Sequence, residues 1–275
     1  MNISILNQIN NGKHIKASDS SNWLLAHGIS AVTTDELSAL LGIPKSQIPQ
    51  RMAALKKHRE IVSPANGLWI PVSPEYRTWG APPAIDMINA IMKHMESIYY
   101  VGWLSAAEYN GASHHAPQVF QVATSRVLRK KSIGRAYFQF YNRNHITSVS
   151  CTHIESKNGL VPVSDIETTL LDVSNDIKLV GGIDNATNII IELCDSSKLN
   201  IKHLSSLSKY YPVTAARRLG FLMEHFTHIK NLEILNEASS QRKAALSLLD
   251  PLSDSSGSVN TKWKIKINRE VSPDV

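Results

Sequence analysis

Cysteine is scarce in this sequence, and no stretch of it is apolar enough to cross a membrane. Only two of the 275 residues are cysteine, Cys151 and Cys194, and neither belongs to a CxxC or Cys/His spacing, so the sequence supports neither a disulfide framework nor a zinc site. No apolar run reaches the roughly 20 residues of a membrane helix, and the first residues lack a charged segment followed by an apolar signal core. We therefore expect a cytoplasmic protein with reduced, buried cysteines and no membrane partner.

Charge is also limited, and its placement matters more than its amount. The sequence is 43% hydrophobic and 19% charged, which excludes general disorder and a fibrous repeat. A net charge of +6 fits a nucleic-acid partner, but it fits ordinary lysine-rich solubility equally well. Positive charge concentrates in Lys45–Arg59 and in Gly111–Ile154, and the second stretch contains no Asp or Glu.

Residues 20–42 predict two helices. Asn22–His27 reads as a short helix that ends at Gly28. Thr33 and Glu36 have the spacing of a capping box, in which each side chain bonds the main chain of the other residue, so a second helix is expected to begin there and to end at Gly42.

Residues 43–72 predict a third helix and a hairpin. Ser46 is expected to cap a helix that continues to about His58. Two β-rich runs, 60–62 and 68–72, surround the turn residues 63–67 and predict a β-hairpin. Helix, helix, tight turn, helix and hairpin is the order of a winged helix-turn-helix. Residues 1–18 show no clear periodicity, which leaves a loose arm or a poorly marked helix.

The proline-rich segment 73–83 predicts a domain boundary, with residues 1–80 in the first domain and 81–275 in the second. The whole chain is expected to be α+β, and its second domain is predicted to be mixed α+β with a small antiparallel sheet. That sheet is predicted from strands at 119–123, 136–141 and 148–153, because no helical crossover separates them. A final strand is expected at 263–267, and helices are expected at 85–95, 104–110, 165–173, 185–193, 201–207, 214–226 and 232–239.

The third helix carries the first candidate site, a DNA-reading face. Ile48, Met52 and Leu55 share one side of the helix, which leaves a small, polar and basic opposite side. Gln can pair with adenine in the major groove, and Lys or Arg can contact phosphates or guanine. The same face would also suit a winged helix that binds only protein. The candidate residues are Lys45, Ser46, Gln47, Gln50, Arg51 and Lys57, with Asn66 at the wing tip.

A second candidate surface lies in the basic stretch of the predicted second domain. Its cations alternate with aromatic residues, which suits either nucleic acid or an acidic partner. The alternative is a solvated edge strand, because edge strands commonly carry Lys and Arg. The candidate residues are Arg126, Arg129, Lys130, Lys131, Arg135 and Arg143.

Catalytic arrangements are weak in this sequence. Asp165, Glu167 and Asp172 are close together, but they lack the Glu-x-Lys pattern of metal-dependent nucleases, and Asp165 suits a helix cap. Ser113 precedes His114 and His115, but no GxSxG elbow or acid partner supports a hydrolase triad. We expect no enzyme, no cofactor and no bound metal, with a Mg²⁺-dependent nuclease as the alternative.

Several segments, taken in order, resemble the AbiEi family, the antitoxins of bacterial type IV toxin-antitoxin systems that were first linked to abortive phage infection. The resemblance extends from about Ala31 to the end of the sequence. The segments that carry it are Thr33–Leu37, Tyr100–Tyr109, Ser164–Asp172, Arg217–Gly220, Asn260–Ile265 and Pro273–Val275.

The resemblance implies two activities. The N-terminal winged helix would bind inverted repeats in its own promoter and repress the operon, with Lys45–Lys57 and the wing as the contact residues. The C-terminal domain would counteract a nucleotidyltransferase toxin encoded next door, without a stable complex, and Arg126–Arg143 would correspond to a positive surface on that domain. The protein would be a monomer or a dimer assembled on operator DNA.

Overall fold

A computed structural model describes residues 12–112 and 117–274 of the chain. The N-terminal part has the element order predicted for a winged helix-turn-helix. Its three strands form one antiparallel sheet in the order β1-β3-β2. The elements are α1 (Ser20–Ala26), β1 (Val32–Thr33), α2 (Thr34–Leu41), α3 (Ile48–Arg51), α4 (Ala53–Lys57), β2 (Ile61–Ala65) and β3 (Leu68–Pro71).

The predicted capping box at the start of α2 is confirmed. The Glu36 main-chain N–H donates to the Thr33 hydroxyl at 3.2 Å, and the Thr33 N–H donates to the Glu36 carboxylate at 2.7 Å. The helix ends at Gly42, as predicted. The indole N–H of Trp69 donates to the Thr34 hydroxyl at 2.9 Å, so the start of α2 is also fixed to the hairpin.

The prediction that Ser46 caps one continuous third helix is wrong. Ser46 lies within a short 3-10 turn, Lys45–Gln47, and makes no capping bond. The helical segment then breaks at Met52 into α3 and α4. The predicted inner side is confirmed, because Ile48 and Met52 are fully buried in the N-terminal core. Burial of this apolar row therefore orients the segment without a side-chain cap.

The prediction for residues 1–18 stays a prediction, and residues 1–11 lie outside the described part, but residues 12–18 include a contact with the N-terminal core. Ile15 packs against the N-terminal core, and its main-chain N–H donates to the Leu40 carbonyl at 3.3 Å. A 3-10 turn, Ala17–Asp19, then leads into α1. Ile15 is therefore the residue through which this polar segment contacts the core.

The prediction of a small antiparallel sheet in the second part is wrong. The sheet there is mixed and has six strands in the order β6-β7-β5-β4-β9-β8, with parallel pairs β5/β7 and β4/β9. After β5 the chain forms β6, which is the edge strand of the sheet. It then returns as β7, which lies between β6 and β5, so β7 is parallel to β5. The strands are β4 (Tyr99–Val101), β5 (Phe120–Thr124), β6 (Lys131–Ile133), β7 (Ala136–Asn142), β8 (Cys151–Ser156) and β9 (Gly159–Ser164).

The helices predicted in the second part are all present, with bounds that differ by a few residues. They are α5 (Ala84–His94), α6 (Trp103–Tyr109), α7 (Ile166–Asn175), α8 (Ile183–Cys194), α9 (Ile201–Ser208), α10 (Val213–Phe226) and α11 (Glu233–Ser240). Short strands close the chain as a sheet in the order β10-β12-β11. They are β10 (Ser247–Leu248), β11 (Ser258–Asn260) and β12 (Ile265–Ile267).

Gly220 allows the segment that contains Trp263 to pack closely against α10. A Cβ atom at this position would lie only 2.1 Å from the Trp263 ring, so only glycine lets the indole lie directly on the helix backbone. Trp263 is almost completely buried there, and its indole N–H donates to Glu224 at 2.8 Å. Two segments of the family resemblance, far apart in sequence, therefore meet in one packing contact.

The hairpin is shared between two apolar cores. Trp69 packs with the N-terminal helices, whereas Leu68 and Ile70, on the opposite face of β3, pack with α5 and the six-stranded sheet. The Ser30 hydroxyl also donates to the Asn158 side chain at 2.7 Å across the same junction. The division at residue 80 stays a prediction, but the two parts have a continuous contact.

The capping box provides the first test. Thr33→Ala removes the acceptor for the Glu36 N–H at the start of α2 and should lower the free energy of unfolding by about 1 kcal/mol. Urea unfolding followed by circular dichroism measures the change. The matched control is Ser46→Ala, which removes an exposed hydroxyl that caps no helix and should leave stability unchanged. Equal destabilisation by both variants would contradict the local analysis.

Candidate functional site

The predicted DNA face is exposed, as a contact surface requires. Lys45, Ser46, Gln47, Gln50, Arg51 and Lys57 are all exposed, on the side away from the buried apolar row. Lys45 pairs with Asp35 at 2.9 Å, but both side chains are more than half exposed, with values of 64% and 55%. Such surface pairs contribute little to stability, so Lys45 remains available to a phosphate. These exposed polar and basic residues all lie between positions 45 and 57, and their role as DNA contacts stays a prediction.

The wing tip is narrower than predicted, because β2 extends to Ala65 and only Asn66 and Gly67 form the turn. Asn66 is exposed, but its main-chain carbonyl lies 2.8 Å from Nε2 of His94 on α5. Lys56 lies over the Trp69 ring, with its ammonium 6.0 Å from the ring centre. The contact with His94 thus fixes the wing tip to the second part of the chain.

Most of the predicted second basic surface is exposed. Arg126, Arg129, Lys130 and Arg135 are exposed, and Lys131 is half-buried in the edge strand β6. The Arg126 guanidinium donates to the Met95 carbonyl at 2.9 Å, which fixes it against the end of α5. Both interpretations of this surface, a partner contact and a solvated edge, are compatible with these positions.

Arg143 does not belong to that surface, and its assignment there is wrong. Its Nη2 donates to Asp172 at 2.9 Å and also to Asp176. The guanidinium lies 4.9 Å from the centre of the Trp103 ring. The two carboxylates draw this side chain inward, because a charge that leaves water needs an opposite charge and hydrogen bonds.

Asp172 is the centre of this buried polar cluster. Its side chain is completely buried on α7. Its Oδ1 accepts hydrogen bonds from the hydroxyls of Tyr211, at 2.9 Å, and Tyr100, at 3.2 Å, as well as from Arg143. Its Oδ2 is buried and has no hydrogen-bond partner within the described residues. We call these four side chains, with Asp176, the Asp172 cluster.

Burial shifts the pKa values of the Asp172 cluster. It raises the pKa of Asp172 to about 6, although Arg143 and the Tyr211 hydroxyl act against the rise. Burial also raises the pKa of both tyrosines well above the usual value, so they donate as neutral phenols. For Arg143, burial opposes the charge, but Asp172 and Asp176 outweigh it and the pKa is raised.

The backbone beside the cluster is restricted. A Cβ on Gly102 would lie 3.0 Å from the Tyr100 ring and 3.1 Å from Oδ2 of Asp172, so a larger residue would displace the carboxylate. Trp103 follows with φ +51, a left-handed conformation that is rare for an aromatic residue. Its indole N–H donates to Asp176 at 3.0 Å. This local strain is maintained by the surrounding contacts.

The three carboxylates of the nuclease alternative do not converge. Asp172 is held in its own cluster, and Asp165 caps α7 by accepting from the Thr168 N–H at 2.8 Å, as predicted. Asp165, Glu167 and His203 do bring their potential ligand atoms within 4.8 Å of one another. However, Glu167 accepts from the Asn200 N–H at 2.6 Å, so its carboxylate already has a structural partner. Ser113, His114 and His115 lie outside the described residues.

The two cysteines are free thiols. Cys194 is buried as expected, whereas Cys151 is only half-buried. Burial raises the pKa of each thiol to about 12, so both are protonated and poor nucleophiles near neutral pH.

Residues 100–225 match the family model of the AbiEi antitoxin C-terminal domain. This part of the chain is an AbiEi antitoxin C-terminal domain. The family resemblance of the sequence is thereby confirmed, and so is an antitoxin role. The matched residues include Tyr100, Arg143, Asp172 and Tyr211, so the family domain contains the whole Asp172 cluster.

A solved structure extends the comparison to the rest of the chain. The crystal structure of the RV2827C protein from Mycobacterium tuberculosis is similar over 92% of each chain, with a TM-score of 0.63 and 12% sequence identity. At that identity the likeness shows the fold alone, and it supports the mixed α+β class. Comparison with curated proteins gives no match. Within residues 12–112 and 117–274, none of the helices is long and apolar enough to span a membrane.

The Asp172 cluster leads to a prediction about pH. Because the pKa of Asp172 is about 6 in the folded chain and is usually near 3.8, the folded form binds a proton that the unfolded form releases between these values. The contribution of Asp172 to the free energy of unfolding therefore falls as pH rises through that window. Between pH 4.5 and 7, the wild type should lose roughly 2 kcal/mol more than Asp172→Asn, at about 1.4 kcal/mol per pKa unit.

Urea unfolding of both proteins at the two pH values measures this difference. Asp172→Asn should also lose stability equally at both pH values, because its bond to Arg143 is weaker. This loss cancels when the free energy of unfolding of each protein at one pH is subtracted from its value at the other. Parallel pH profiles for the two proteins would contradict the raised pKa.

Proposed function

We propose that this AbiEi chain is a type IV antitoxin and transcriptional autorepressor, which binds inverted-repeat operator DNA of its own operon through the N-terminal winged helix. Its C-terminal domain counteracts a nucleotidyltransferase toxin. The observation that carries the DNA half is the segment from Lys45 to Lys57, which buries one apolar row and exposes polar and basic side chains beside a β-hairpin. This arrangement suits a recognition helix in the major groove with a wing on the adjacent backbone.

The two kinds of side chain on this face have different roles in the proposal. Gln50 is exposed and can form paired hydrogen bonds to an adenine edge, which gives sequence preference. Lys57 is exposed at the end of α4 and can neutralise a phosphate, which gives affinity for any duplex. Asn66 at the wing tip would approach the neighbouring backbone. On an inverted repeat, two molecules would lie roughly 34–36 Å apart, or a multiple of that distance.

The antitoxin half rests on the family domain at residues 100–225. We propose that it acts without a stable toxin complex and without a catalytic step of its own, in the cytoplasm. Arg126, Arg129, Lys130 and Arg135 are the exposed cations of this domain that an acidic partner or nucleic acid would meet.

The DNA half is tested by mobility shift of the full chain on the DNA upstream of its own gene and on random DNA of the same length, across a salt titration. Gln50→Ala should lose about 1–3 kcal/mol of binding energy on the upstream DNA and little on random DNA. Lys57→Ala should weaken binding to both and reduce the salt slope by about one unit.

Lys178→Ala is the matched control for loss of charge, because Lys178 is exposed in the turn between α7 and α8, far along the chain from the wing. It should bind as the wild type does. A wild type that prefers neither DNA, or variants that all behave alike, would remove the recognition face from the proposal and favour a winged helix that binds protein.

A further inference from the structure

A polar cavity of about 500 Å³ opens beside the Asp172 cluster. It lies between the loop that follows β7 and the segment that follows α9. Its volume falls within the range of small-molecule sites in proteins. Among the described residues, no carboxylate lines it. The lining side chains that matter for its chemistry are Arg143, His145, Lys209, Tyr210, Tyr211 and Arg242.

The cations that line this cavity differ in whether a carboxylate neutralises them. Arg143 is neutralised by Asp172 and Asp176 through a single nitrogen, and its buried Nε has no hydrogen-bond partner among the described residues. Arg242 donates to two main-chain carbonyls, those of Tyr211 at 2.8 Å and Ser208 at 3.3 Å. Its positive charge has no carboxylate partner within the described part of the chain.

Lys209 adds a second unbalanced cation. Its ammonium lies over the Tyr210 ring, 4.9 Å from the ring centre, and within the described residues it forms no ion pair. Arg217, outside the cavity lining, is almost completely buried and donates to the Ala245 carbonyl and the Ser247 hydroxyl. Burial lowers the pKa of Arg217, and repulsion from the nearby Arg242 lowers it further. An anion bound between Arg242 and Lys209 would relieve that repulsion.

We propose that this cavity binds a phosphate-bearing small molecule, with Lys209 and Arg242 in contact with the phosphate. Guanidinium and ammonium groups form charge-assisted hydrogen bonds to phosphate oxygens, and these are stronger than neutral ones. The Tyr210 ring offers a flat apolar surface for the organic part of the ligand. Occupation of the cavity would also connect the loop after β7 with the segment after α9.

Isothermal titration calorimetry of the full chain tests the site, with inorganic phosphate, adenosine monophosphate and uncharged adenosine as probes. The proposal expects heat from phosphate or from the monophosphate, and none from adenosine at the same concentration. Tighter binding of the monophosphate would identify a nucleotide ligand, whereas equal binding would show that the phosphate group alone is recognised.

The variants are Lys209→Ala and its matched control Lys202→Ala. Both remove one exposed lysine, and Lys202 is on α9, a few residues earlier, outside the cavity lining. Lys209→Ala should weaken binding about tenfold, the usual effect of losing one hydrogen bond to a charged group, and Lys202→Ala should not. Absence of binding by the wild type, equal binding of adenosine, or equal loss in the two variants would overturn the proposal. DNA plays no part in this assay, so its failure is separate from failure of the autorepressor function.

Discussion

The buried carboxylate of Asp172 is the interaction on which the arrangement of the C-terminal domain depends. Its bonds come from a strand, β4, from the loop after β7 and from the segment after α9. A carboxylate taken out of water is costly unless it is paired and hydrogen-bonded, and removing one partner of a buried pair typically costs about 3–5 kcal/mol. These separate segments are therefore held in one arrangement because each supplies a donor that the others cannot replace.

The cluster also affects which charges face the neighbouring cavity. Asp172 and Asp176 neutralise Arg143 and do not line the cavity, so the lining cations without a carboxylate partner among the described residues are Lys209 and Arg242. Tyr100, Arg143 and Tyr211 belong to the cluster and also line the cavity, so the cluster and the cavity share one wall. The strained conformation of Trp103 lies at this point, where the indole reaches Asp176 and stacks at 6.5 Å with Tyr100.

Local features were predictable from the sequence, and features that depend on distant partners were not. The capping box of Thr33 and Glu36 spans four residues, and its donors and acceptors are visible in the sequence. Arg143 was misassigned because its carboxylate partner is 29 positions away, and charge alone does not distinguish a surface arginine from a paired one. The parallel pairing of β5 and β7 depends on where β6 is placed, which strand propensities do not specify.

The candidate site shows the same limit. Tyr100 and Asp172 both lie in segments that carry the family resemblance, so the sequence marked both residues as relevant. It did not indicate that they contact each other. Tyr211, Lys209 and Arg242 had no such signal, because no motif marks them and only the fold brings them together. The exposed face of α3 and α4 was predictable because helical periodicity assigns buried and exposed sides without knowledge of the tertiary structure.

The two-sided hairpin has a consequence for how this protein is dissected. Leu68 and Ile70 would face water in a fragment that ended near residue 80, and α5 would lose the apolar surface that covers it. Each half would then carry a newly exposed hydrophobic patch, which favours self-association. A test of the two proposed activities on separate fragments would therefore confuse loss of function with aggregation. Single surface substitutions in the intact chain leave both cores buried.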